Sequence, residues 1–139
     1  MIKKNISSDS PFEKAIGFSR AVRVGNIISV SGTAPIAPDG STAYPNDVFE
    51  QTKCCIKIMK KAIEEAGGDL ADVIRTRIML KEISRWKEAA SAHGEFFAEI
   101  RPASTFVEVK GFVKPDWLVE TEADCVLGSI KPQDAVKIE

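Results

Sequence analysis

The sequence predicts a two-layer α+β domain. Two observations carry that prediction. Runs of alternating apolar and polar residues lie near both ends of the chain and in its middle, and two stretches of helical period separate them. Two helices can cover only one face of a sheet of about six strands, which leaves the other face open. The length, 139 residues, suits one domain with a single core. We assign residues 1–139 to that domain, with a core of about 12–127 and a tail of 128–139.

The elements follow in chain order. Ile2–Ile6 offers a short edge strand. "SPFEKAIGF" reads as a loop, punctuated by Pro11 and Gly17. "SRAVRVGNIISVSG" reads as two strands joined at Gly25-Asn26, a pair that suits the positive φ angles of a tight hairpin. "TAPIAPDGSTAYPND" is a long loop with three prolines and a turn at Asp39-Gly40.

A helix follows, capped by Asn46 or Asp47 and ended by Gly67-Gly68. Val48, Cys55, Ile56, Met59, Ala62, Ile63 and Ala66 form its apolar face. Lys53, Lys57, Lys60 and Lys61 are read as a solvated face balanced by glutamates. "DVIRTRIMLK" alternates, with Ile74, Thr76, Ile78 and Leu80 on one side and Arg75, Arg77 and Lys81 on the other. Ser84 is the expected cap of a second helix, whose stripe is Trp86, Ala89, Ala90, His93, Phe96 and Phe97. That helix should stop near Ile100, because Pro102 disfavours helical geometry at Arg101. "TFVEVKG" and "LVETEADCVL" complete the sheet. In the latter, Val119, Thr121, Ala123, Cys125 and Leu127 share one side, and Glu120, Glu122 and Asp124 the other. On the open face we expect these acids to pair with Arg75 and Arg77 across strands.

Composition excludes several function classes. The net charge of −1 gives no general attraction to nucleic acid or anionic membrane. No apolar run approaches the roughly 20 residues that span a bilayer, and none follows the first lysines as a signal peptide requires. A cytoplasmic protein is expected. Cys54, Cys55 and Cys125 lack metal-ligand spacing and are read as packed thiols. The single histidine, His93, lies on an apolar stripe and is read as packed. Neither a metal nor a cofactor is expected. The remaining candidates are "SVSGTAP", where Gly32 would let a ligand approach main-chain N–H groups, and "RPASTF", which opens a strand through Ala103-Ser104-Thr105. They are candidate walls of one crevice.

Four segments, "GFSRAVRVGNIISVSGTAP", "DVIRTRIMLKEI", "FFAEIRPASTFVEV" and "LVETEADCV", occur in an order that resembles the RidA/YjgF family, also called L-PSP. The resemblance spans about Phe12 to Leu127. It implies a chorismate-mutase-like domain with a mixed sheet, a homotrimer and small-molecule clefts between subunits. It further implies hydrolysis of an enamine or imine to a carbonyl compound and ammonia, with Glu120 as the catalytic glutamate that helps place water. Phe18 and Gly32 would line the cleft, Phe18 standing where the family often has tyrosine. The family's deaminases read P-A-R-S where this chain reads Pro102-Ala103-Ser104-Thr105, so Ser104 takes the place of the substrate-binding arginine. A serine offers one neutral donor where arginine offers a planar fork, which makes 2-aminoacrylate a poor expected substrate. Arg20 and Arg101 are candidate substitutes, with Arg101 first read as a solvated helix-end charge. The alternative is a non-catalytic trimer that binds a metabolite or partner. RNA cleavage is the weakest reading, given the slight negative charge.

Overall fold

A computed structural model describes residues 1–128, so the proposed tail beyond Gly128 lies outside the described residues. It contains six strands: β1 (Lys3–Ile6), β2 (Ala21–Val24), β3 (Ile27–Thr33), β4 (Val73–Leu80), β5 (Ala103–Glu108) and β6 (Val119–Val126). Three α-helices accompany them: α1 (Pro11–Ile16), α2 (Val48–Glu65) and α3 (Trp86–Phe97). The strand order is β1-β2-β3-β6-β4-β5. Only β4 and β5 pair in parallel, because α3 carries the chain back between them. The sheet is therefore mixed, and the predicted α+β class holds.

The alternation explains the layers. Val73, Thr76, Ile78 and Leu80 of β4, and Val119, Thr121, Ala123 and Cys125 of β6, are buried beneath the helices. The predicted apolar face of α2 is buried without exception. It packs on β3 and β6. Asp47 supplies the cap, accepting from Glu50 N at 3.0 Å. Gln51, fully buried, donates through Nε2 to the carbonyls of Ala43, Tyr44 and Asp116 and accepts from Leu118 N. This one amide ties the long loop to the approach to β6. On the open face Arg77 lies 3.1 Å from Asp124 and 3.7 Å from Glu122, as expected, whereas Arg75 donates to Thr105 Oγ1 instead of pairing with an acid.

Five expectations need correction. "PFEKAI" is a short helix rather than loop: Ser10 caps it, Pro11 occupies its first turn, and Gly17 ends it at φ 94°. At the hairpin only Gly25 takes positive φ; Asn26 does not. Ile74 is 48% exposed, because a shift in register between Val73 and Arg75 turns it outward and Val73 takes the buried place. Ser84 does not cap α3; it sits inside a 3-10 turn, Ile83–Arg85, that feeds the helix directly. The regular helix ends at Phe97, earlier than Ile100, and Arg101 then takes φ 54°.

Candidate functional site

Strand β3 and the segment before β2 bring three of the predicted residues together. Gly17 leaves α1 in the left-handed region, which turns the chain so that Phe18 and Arg20 follow. Arg20 N donates to Ile6 O at 2.8 Å and Ser31 N to Arg20 O at 3.0 Å, so both neighbouring segments hold its backbone. Its guanidinium carbon lies 5.8 Å from the centre of the Phe18 ring, within cation–π range. Nη2 donates to the carbonyl of Gly32 at 2.6 Å. Nε is enclosed and has no acceptor. Burial pushes the guanidinium pKa down, while the charges of Glu13 and Glu120 support the cation.

Glu120 completes the cluster. It lies on β6 opposite Met79 and faces the uncovered side. A Cβ on Gly32 would stand 3.5 Å from Glu120 Oε1, so only the absence of a side chain keeps that space open. Burial raises the Glu120 pKa above its usual 4.5; the Arg20 charge opposes this and Glu122 adds to it. Among the described residues no hydrogen bond or ion pair holds the Glu120 carboxylate. An unengaged carboxylate can accept a proton from water, and a raised pKa makes it a stronger base.

Ser104 lies elsewhere. It is level with Thr76 in the parallel β4–β5 ladder, and Thr76 Oγ1 donates to Ser104 Oγ at 2.8 Å. Thr76 faces the helices, whereas Glu120 is level with Met79 on the opposite face. One chain by itself thus does not bring Ser104 to Glu120. Ser104 is nonetheless exposed, on the last strand of the sheet. His93 Nε2 lies 2.9 Å from Thr76 Oγ1. Burial lowers the His93 pKa. Arg101 is exposed beyond α3. A groove of about 1270 Å³ runs between the N-terminal segment, the long loop and α2. Arg20 and Trp117 lie on its wall, whereas Phe18, Gly32, Ser104 and Glu120 do not. Among the described residues no group of three His, Cys, Asp or Glu side chains could hold a metal ion. No helix there is long and apolar enough to cross a membrane.

The family model described as Endoribonuclease L-PSP matches residues 9–127. The chain belongs to that family. A RutC family protein of Pyrococcus abyssi is 40% identical over 111 residues, which cover 79% of this chain and 87% of the relative. The crystal structure of Rv2704 from Mycobacterium tuberculosis, a member of the YjgF/YER057c/UK114 family, superposes with a TM-score of 0.83. The two share 40% identity, with 91% of this chain and all of that one covered (100%). The 3-aminoacrylate deaminase RutC of Acinetobacter baylyi is 34% identical over 100 residues, covering 72% of this chain and 79% of that protein.

Within this L-PSP chain, Arg20 is the central residue that sequence reasoning placed only among the substitutes. Its signal, an arginine two residues after Phe18, has no meaning until β2 and β3 are paired. Thr76 and His93 carry the pattern of packing residues, and nothing in their spacing announces that they meet Ser104.

Proposed function

We propose that this protein hydrolyses the carbon–nitrogen double bond of a small imine, or the imine tautomer of an enamine, in a cleft between copies of a homotrimer. One copy contributes Phe18, Arg20, Gly32 and Glu120, and its neighbour contributes the exposed edge with Ser104. The observation that carries the reading is the cluster at Glu120: an unengaged carboxyl of raised pKa beside the open space at Gly32 and the Arg20 charge. The kinship with a protein named 3-aminoacrylate deaminase supports it. Such a substrate carries both an enamine nitrogen and a carboxylate.

Glu120 places a water against the imine carbon and takes one of its protons. The new C–O bond forms as the π pair moves to nitrogen, which also takes up a proton. Glu120 returns its proton to the carbinolamine nitrogen, the hydroxyl proton is lost, the C–N bond breaks, and ammonia leaves with the bonding pair, which restores the carboxylate. Arg20 supplies the cation that Ser104 does not. One of its five donors binds Gly32 O and Nε is enclosed, which leaves its terminal N–H groups for an anionic oxygen.

The test mixes purified protein with freshly generated imines and follows ammonia release. A rate above the buffer blank that E120A removes is expected. Rates equal to the blank across the panel would sink the reading. Light scattering should give three copies, and a monomer would remove the shared cleft. A trimer that binds a metabolite or partner without turnover is the second reading; Ser104 at the arginine's position favours it.

A further inference from the structure

We propose that His93, Thr76 and Ser104 form a proton relay whose exposed end, Ser104 Oγ, serves the reacting nitrogen of the substrate. The inference deepens the imine-hydrolysis reading and rests on it. The three residues come from three elements: α3, β4 and β5. Their polar atoms follow one another at 2.9 and 2.8 Å, both within hydrogen-bond distance.

The environment distinguishes this chain from chance contact. Thr76 is fully buried, and both partners of its hydroxyl are side chains of this chain. The His93 ring is held by Phe97, 4.6 Å away on α3, and by Phe106, 5.7 Å away on β5. These two rings fix the imidazole so that Nε2 meets Thr76. Lys53 of α2 and Glu95 of α3 lie 3.2 Å apart, and that pair closes on itself. No charged group contributes to the His93 shift, which comes from burial alone.

With Thr76 donating to Ser104, His93 Nε2–H donates to Thr76 Oγ1, and the Ser104 O–H is left to donate outward. The imidazolium, formed below the lowered His93 pKa and a stronger acid for that shift, gives up its Nε2 proton, Thr76 passes one on, and Ser104 delivers one to the substrate nitrogen. His93 is then neutral, and both hydroxyls have reversed. In that state the relay runs backward, takes a proton from the carbinolamine hydroxyl and restores the imidazolium. No other reactant is needed. A hydroxyl both donates and accepts, so each can serve in either direction. Ser104, in the place of the family's arginine, thereby gains a role that a cation could not perform.

The experiment compares T76V, T76S and H93Q with the wild type for kcat/KM on an imine panel between pH 5 and 8. T76V should lose about 10²-fold, in keeping with general acid–base catalysis, and should lose the pH limb that follows His93. T76S keeps the hydroxyl and should recover most of that loss. T76V and H93Q with unchanged rates and pH profile would overturn the relay while leaving imine hydrolysis standing. Should the wild type release no ammonia, the hydrolysis reading fails by itself, and the relay is tested on the ring. Pyruvate should then shift the ¹⁵N resonance of His93 Nε2 in the wild type and not in S104A. No shift in the wild type overturns the relay. S104A alters only an exposed edge residue, so this arm does not depend on the folding of T76V.

Discussion

Gly32 and Glu120 face each other from adjacent strands, and a Cβ on residue 32 would stand 3.5 Å from Oε1. That is ordinary van der Waals contact. Gly32 is also not among the glycines with positive φ. An alanine therefore fits the fold but fills the space in front of the carboxyl. G32A should fold normally and gain up to about 0.4–1 kcal/mol from its less flexible unfolded chain, while imine turnover falls. A drop in melting temperature alongside the lost turnover would assign the glycine to the fold instead.

Glu120 links stability to pH with a definite sign. Burial holds its folded pKa above 4.5, so the fold favours the protonated acid. The resulting stabilisation is full below pH 4.5 and is lost as pH rises through the folded value. E120Q lacks this term. Its melting temperature relative to wild type should be higher at pH 7 than at pH 4, read by calorimetry. The same shift places the acid limb of the wild-type rate profile above pH 4.5.

Arg20 separates binding of charge from chemistry. A hydrogen bond to a charged group contributes about 1.5–3 kcal/mol, so R20Q should raise KM for a carboxylate-bearing imine about tenfold or more. A neutral imine should show little change. R20K keeps the charge but not the planar fork and should fall between. Equal losses on both substrates would mean that Arg20 acts only through its bond to Gly32 O.

Gln51 provides a stability control remote from the cluster. Its amide satisfies three carbonyls and one main-chain N–H. Q51L leaves these buried groups without their partner and should cost about 2–3 kcal/mol in urea unfolding. An unchanged midpoint would mean that water takes over these bonds.

The local pattern of residues reaches far into the fold. The faces of α2 and β6 follow from periods of 3.6 and 2, because backbone geometry alone sets which side chains share a side. Asp47 and the glycines after α2 mark that helix equally well. The pattern is weakest where an element is short or irregular. Six residues of α1 show too little period to outweigh Pro11 and Gly17, and the irregularity at Ile74 inverts one residue within an otherwise regular strand.

The site was legible only as a set of residue types. Phe18, Gly32, Ser104 and Glu120 could be named, but not which of them meet. The amino-acid sequence by itself determined the strands, the two long helices, most of their buried faces and the family. Only the tertiary structure decided that β6 enters between β3 and β4, which sets Glu120 against Gly32 and Arg20, and that β5 pairs in parallel with β4, which sets Ser104 beside Thr76 under α3. The physical reason is that burial periodicity is a property of neighbouring residues. Strand order and register depend instead on contacts between segments many residues apart.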